Sequence, residues 1–341
     1  MALAHETHSR DVPADERPLL RRLIAKPEFG PLVLLVVLIV VFTAINPNFL
    51  SPLNVSNTFP FTVEFGLMAL AMTLLMTAGE FDLSVGAVFG FSAVLMWTLF
   101  NQGLVPLPLA FVIAIAVAAL IGLVNGLFVT RLKIPSFLVT LGMMLVVRGT
   151  ALFVTDGFPQ RTWNAGDQWI ANLLVGDFYI GPFRLYMSLF WFILAAVIFW
   201  YILNQTKFGN WIQAAGGNPA AARARGVHVD RTKLILFMLC SAMAALAGVI
   251  SSIRTSAANP NSGTGYELEV IAMVVIGGTA LMGGRGTIVG TVLGVFILRL
   301  MRNGIVMIGV PGLAYNIFIG AIILGMMALH YGLERRNHAG N

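Results

Sequence analysis

Ten apolar stretches fill most of this 341-residue chain, near 30–46, 58–78, 83–100, 106–130, 136–155, 183–203, 232–253, 264–281, 287–302 and 311–330. Most approach the roughly 20 residues that a helix needs to cross bilayer hydrocarbon. Hydrophobic residues make up 58% of the sequence and its mean hydropathy is +0.85, more than a soluble core of this length can cover. The expected fold is therefore an all-α polytopic membrane protein with about ten transmembrane helices. Pro47 and Pro52, Gly79–Asp82, Pro106 and Pro108, Pro135, and Gly283-Gly284-Arg285-Gly286 cue the breaks. Gly79–Asp82 reads as either a tight turn or a kink.

Basic residues orient the body. With the N-terminus inside, 15 of the 21 lysines and arginines fall in cytoplasmic segments and only Arg161, Arg184, Arg254 and Arg302 fall outside. That asymmetry places both termini in the cytoplasm and makes the number of spans even. It also accounts for the net charge of +6 without nucleic acid as a partner. The expected layout is a cytoplasmic segment 1–29, a transmembrane body 30–330 and a cytoplasmic tail 331–341. The polar N-terminus, with Asp11, Asp15 and Glu16, does not fit a cleaved signal peptide. A lone cysteine, Cys240, excludes an intramolecular disulfide and a thiolate metal site, and no metal or cofactor is expected. The outside segment 156–182, with Trp163, Trp169 and Tyr179, reads as a short interfacial helix in preference to a sugar-stacking surface.

Few polar residues at membrane depth carry chemistry. Glu80, Asp82 and Ser84 sit at the junction of two apolar stretches. Either Asp82 or Ser84 caps the following helix, or Glu80 and Asp82 line a pathway, since ionisable groups at this depth are costly without a role. Ser92, Asn125, Thr73 and Thr140 could bond hydroxyl groups or satisfy their own helices. The candidate pathway is Glu80, Asp82, Ser84, Ser92, Asn125 and Thr140. Arg148 and Arg299, inside apolar stretches, are expected to snorkel to an interface. No ladder of Asp, Glu or His exists to relay protons, which argues for an uncharged substrate and against proton coupling.

Two glycine patterns invite other readings. Ser84–Gly90 and Ile288–Gly294 share a Gly-xxx-Gly spacing after a glycine-rich break, as an internal repeat or close helix packing would give. Gly283–Thr287 lacks the Lys-Ser or Lys-Thr of a phosphate loop and follows no strand, so it reads as a tight turn.

The loop 207–231 stands apart. Gly216 and Gly217 supply a turn, Asn218 can cap, and Pro219 suits a first helical position. Ala220, Ala221, Ala222, Arg223, Ala224 and Arg225 favour a short helix that Gly226 ends. Positive-inside bias alone does not call for a formed helix, so the loop reads as a docking surface for a partner.

Four segments in order, GEFDLSVG (79–86), VNGLFVTRLKIPSFLVTLG (124–142), GGNPAAARARGVHVD (216–230) and NPNSGTGYELEVIAMVVIGGTALMGGRG (259–286), resemble the ribose-type sugar permeases of bacterial ABC importers. With the span pattern the resemblance covers most of 30–330. It implies a multi-pass permease of the bacterial inner membrane that contacts lipid. Its implied partners are a second permease copy or homologue, two cytoplasmic ABC ATPase subunits and an outside sugar-binding protein. It maps the family's coupling helix onto Gly217–Gly226. The family usually has a second glycine and then isoleucine where this chain has Glu80 and Phe81, so substrate preference is not carried over.

The reading that follows is a transport subunit with no catalytic residues, importing a neutral sugar or polyol at the expense of ATP hydrolysed on a separate chain. Its rival is a stand-alone secondary carrier or channel, against which the lack of buried acid–base pairs speaks. A membrane enzyme would need a His, Cys or carboxylate constellation that the sequence lacks.

Overall fold

The computed structural model describes residues 28–161 and 168–311, together with 314, 315, 317, 318, 320, 321, 324 and 325. Nearly all of the expected N-terminal segment, Trp163, much of the tenth apolar stretch and the whole expected tail lie outside the described residues.

Helices build the described fold. They are α1 (Phe29–Ile45), α2 (Pro52–Thr77), α3 (Val85–Asn101), α4 (Leu107–Arg131), α5 (Ser136–Val154), α6 (Trp169–Val175), α7 (Met187–Gln205), α8 (Lys207–Gly217), α9 (Pro219–Ala224), α10 (Val229–Thr255), α11 (Tyr266–Ile276) and α12 (Ile288–Met307). Two short antiparallel pairs accompany them: β1 (Gln160–Arg161) with β4 (Ala257–Ala258), and β2 (Asp177–Ile180) with β3 (Phe183–Tyr186). Among the described residues six helices, α2, α4, α5, α7, α10 and α12, are long and apolar enough to cross a bilayer, while α1 and α3 are shorter at 17 residues each.

The helical membrane architecture agrees with expectation, but two apolar stretches depart from simple spans. Stretch 183–203 opens on strand β3, because Gly181, at φ +59°, turns the chain into a hairpin before α7 begins. Stretch 264–281 holds only the 11 residues of α11. Gly277 and Gly278 end it after about 16 Å of helix, half of a crossing.

The centre is α2, where every residue from Thr62 to Thr77 is buried. Around it stand α10, α12, α7 and α11, and α10 in turn packs on α3 and α4. Small residues let these backbones meet. A Cβ on Gly122 would strike the Phe237 carbonyl, and one on Gly248 would strike that of Phe89. Antiparallel to α2 runs α12: Asn303 Nδ2 donates to Asn54 Oδ1 at 3.0 Å near one end, and the hydroxyls of Thr73 and Thr291 lie 2.6 Å apart near the other. Val36 and Val40 of α1, Val112 and Leu120 of α4, Leu145 of α5 and Ile193 of α7 are exposed apolar residues suited to acyl chains.

The half-helix α11 begins deep in the body. Its Tyr266 ring lies 4.3 Å from that of Phe65, halfway along α2. The chain reaches this depth from β4 as an irregular segment, tolerable in a membrane only where protein satisfies its backbone. Arg148 does so: its Nη1 donates to the carbonyls of Pro260 at 2.7 Å and Ser262 at 2.6 Å. An arginine expected to snorkel is a clamp instead.

Candidate coupling junction and buried polar cluster

Local signals shape the 207–231 loop. Thr206 caps α8 by accepting the Gly209 N–H at 3.1 Å. Asn218 then closes α8 and opens α9: its N–H donates to Ala214 O, and its Oδ1 accepts the Ala221 N–H at 3.0 Å. Pro219 takes the first helical position, and Gly226, at φ +84°, follows the helix end. The expected capped, alanine-rich helix is thus formed. Ala222 faces inward on Ala215 and Val229, while Ala221, Arg223 and Arg225 are exposed. Arg223 Nη2 holds Asp230 Oδ1 at 2.7 Å, and Lys133 Nζ approaches the same carboxylate at 3.3 Å. These pairs fasten α9 to α10 and to the turn after α4. Between them opens a basic cleft of about 530 Å³ lined by Arg131, Arg223, His228 and Arg231 among others.

Behind this surface three loops meet through glycine backbone. Gly284 donates its N–H to Thr77 O at 2.8 Å. A Cβ on Gly216 would collide with that same carbonyl and with Gly284 N, and one on Gly283 would lie 2.8 Å from Gly79 Cα and 3.0 Å from Gly216 Cα. Gly79 and Gly283, at φ +80° and +82°, adopt the left-handed backbone that favours glycine. Gly216, read from sequence with the docking face, is therefore turned into the body, whereas Gly217 is exposed and a Cβ there would sit 3.7 Å from its nearest neighbour.

Of the candidate pathway residues, Asp82, Ser84 and Asn125 come together. Asp82 is fully buried, and its Oδ1 accepts both the Ser84 N–H at 2.8 Å and the Ser84 hydroxyl at 2.5 Å. Its Oδ2 faces the Asn125 amide at 3.5 Å and the Ser241 hydroxyl at 3.4 Å, and Asn125 Nδ2 also donates to Ser84 Oγ at 3.0 Å. Asn125 Oδ1 has no hydrogen-bond partner among the described residues. The cluster joins the start of α3 to α4 and α10, so Asp82 ties three elements. The expected cap is not formed: Ser84 stands at the N-cap with no side-chain cap bond, and the one backbone N–H that Asp82 accepts is that of Ser84 itself. Ser241 belongs to it although nothing in its apolar run distinguishes it. The other three lie elsewhere. Glu80 Oε1 binds Lys233 Nζ at 2.5 Å, Thr140 donates to its own helix at Ser136 O, and buried Ser92 has no partner among the described residues. Among the described residues no group of three or more His, Cys, Asp and Glu could hold a metal ion.

Comparison with known proteins shows the family. Residues 54–327 match the family model described as branched-chain amino acid transport system / permease component. The ribose import permease protein RbsC of Escherichia coli (strain K12) is 37% identical over 299 residues, 87% of this chain and 91% of that protein. RbsC of Bacillus subtilis (strain 168) is 37% identical over 297 residues, 87% and 90% of the two chains. The galactose/methyl galactoside import permease protein MglC of Escherichia coli (strain K12) is 34% identical over 313 residues, 89% and 93% of the two chains. No solved structure matches.

Proposed function

The chain belongs to the ribose-type permease family of ABC sugar importers, and we propose that it imports a neutral sugar or polyol, driven by a separate ATPase through α9. The observation that carries the coupling part is the glycine junction. A push on α9 reaches Gly216 through one short helix linkage, and Gly216 rests on the backbone at the end of α2 and on the loop before α12. With no side chains between them, a displacement of the loop is passed to both helices as rigid-body motion. ATP-driven closure of the partner would thus rock α2 and α12 and alternate access to the pathway between them.

The proposed neutral substrate fits the charges at depth. Glu64 pairs with Arg254 at 2.8 Å, Glu80 with Lys233, and Glu269 lies 3.7 Å from Arg299. The sequence suggests no buried acid–base pairs, and these three correct that expectation, so their lack no longer speaks against a carrier. As pairs they neutralise one another and do not call for a charged solute. Ribose and galactose, which name the similar permeases, are the first sugars to try. The proposed assembly adds a second permease copy or homologue, ABC ATPase subunits and an outside sugar-binding protein, in the bacterial inner membrane.

A gentle pull-down of the tagged permease, with an ATPase assay on the eluate, tests the reading. An ATP-hydrolysing subunit is expected to co-purify and to be lost from Gly217→Glu, which alters an exposed position, and from Arg223→Glu, which also breaks the pair with Asp230. A folded permease that comes out alone, with uptake that survives loss of every ATPase, would favour the stand-alone carrier.

A further inference from the structure

A second cavity, of about 330 Å³, opens at the opposite end of α2 from the glycine junction. It lies between α2 and α12, and Tyr266, the first residue of half-helix α11, is part of its lining. Asn57, on its wall, is 20 residues from Thr77, about 30 Å along the helix, which is the thickness of the hydrocarbon. The cavity and the coupling junction therefore face opposite sides of the membrane. Its volume lies in the range of small-molecule sites.

The lining combines aromatic faces with hydrogen-bond donors. Phe61 is 42% exposed, with Arg254 over its ring at 4.2 Å. Asn57 is exposed and its amide makes no hydrogen bond among the described residues. Arg299, expected to snorkel, is buried instead: it lies over the Phe65 ring at 4.5 Å and beside Glu269, with Nε and Nη1 closed off from solvent. Glu269 lies beyond hydrogen-bond distance of Arg299, and it also draws Arg302 to 3.6 Å and accepts the Tyr315 hydroxyl at 3.3 Å. That network explains how α12 is held to α11. It leaves the Asn57 amide and an aromatic ring open to a polar cavity, with the half-exposed Arg302 guanidinium beside them.

We infer that this cavity is the outward-side sugar subsite of the permease, a place for a neutral monosaccharide above the half-helix. The inference rests on the proposed import function. A sugar ring has an apolar C–H face, which Phe61 and Tyr266 can cover, and a rim of oxygens that can accept from amide and guanidinium donors. A half-helix starting midway through the membrane at the foot of such a cavity is the arrangement by which discontinuous helices place a solute near the bilayer centre.

The test uses the complete importer in liposomes, with uptake of radiolabelled D-ribose and D-galactose. Asn57→Leu, which removes no hydrogen bond of the protein, is expected to lower the uptake rate at least fivefold while the ATPase still co-purifies with the permease. Phe61→Ala should do the same, but it also uncovers Arg254, so Asn57→Leu decides. In the permease–ATPase complex, the Asn57→Cys thiol should react with an impermeant maleimide from the side opposite the ATPase, Cys240 being buried. Millimolar amounts of the transported sugar should slow that labelling threefold or more, and sucrose of equal osmolarity should not. If the wild-type importer carries a sugar while Asn57→Leu carries it equally well and labelling is unprotected, the subsite is wrong and the import function stands. Labelling only from the ATPase side overturns the subsite as well. If the wild-type importer carries neither these sugars nor any other of a panel of neutral monosaccharides and polyols, the proposed substrate class fails, and the subsite with it.

Discussion

Gly284 gives its backbone N–H to the carbonyl of Thr77 at 2.8 Å, joining the loop before α12 to the last residue of α2. Gly216 is seated against both partners of that bond. A side chain at 216 must push backbone apart, and backbone in such a junction cannot step aside as a flexible side chain can. Gly216→Ala is therefore expected to destabilise the protein by about 1–3 kcal/mol, the usual range for overpacking. Gly217→Ala, one residue on and exposed, should stay within about 0.5 kcal/mol of wild type. Thermal unfolding of the two variants in detergent checks the contrast, and equal melting points would remove the junction from the coupling argument.

Asp82 is the acceptor on which Ser84, Asn125 and Ser241 converge. Asp82→Ala would strand several donors in a closed space, each orphan costing about 1–3 kcal/mol. Asp82→Asn should lose much less. It keeps an acceptor for Ser84, and the Asn125 amide can turn to offer its unused Oδ1 to the new NH₂ group. The expected order of melting points is wild type, then Asp82→Asn, then Asp82→Ala, with the larger gap at the second step.

How far these features could be read from sequence depends on the range of the interactions that make them. The α9 helix was legible because Asn218, Pro219 and Gly226 act within a few residues of themselves. Long spans such as α4 and α10 were legible because hydrocarbon demands a run of apolar residues of fixed length. The half-helix α11 was not, since 264–281 is apolar enough to pass for a span. Its Gly277-Gly278 pair was the available sign of a break. The meeting of Gly79, Gly216 and Gly283 joins positions far apart in the chain, and a glycine gives no sign of what its missing side chain leaves room for. Asp82, Ser84 and Asn125 could be proposed together from polarity at depth. Ser241 and the Lys233 partner of Glu80 needed the packing of α10.

Glu80 and Lys233 are mutually dependent. Each is mostly buried, with 14% and 13% of its side chain exposed, and their 2.5 Å contact links the α2–α3 turn to α10. Removing one charge leaves the other poorly solvated, which costs more than losing a surface pair. Glu80→Gln and Lys233→Met are each expected to cost about 1–3 kcal/mol, and the double variant should cost clearly less than their sum. A double-mutant cycle on denaturation midpoints measures the coupling. Strict additivity would mean that the pair does not hold the turn.

Arg148 decides whether the approach to α11 keeps its shape. Its guanidinium supplies two donors to the carbonyls of Pro260 and Ser262, and Gly90 of α3 lies close enough that a Cβ there would meet both Ser262 O and Arg148. Charged donors to buried carbonyls contribute about 1.5–3 kcal/mol each, and no water is at hand in a bilayer to replace them. Arg148→Ala should therefore loosen residues 257–266 before it unfolds the helices around them. Both bonds leave one nitrogen, Nη1, and a lysine ammonium has N–H groups enough for both, so Arg148→Lys should restore protection in part, limited by its shorter reach. Amide exchange reads this directly: protection is expected to fall at Ser262, Thr264 and Tyr266, whose N–H groups bond within this segment, and to persist along α2 and α10. Because Tyr266 opens α11 and lines the outer cavity, the same variant should slow uptake without releasing the ATPase. Loss of protection spread evenly over all helices would show instead that Arg148 serves global stability and not the placement of the half-helix.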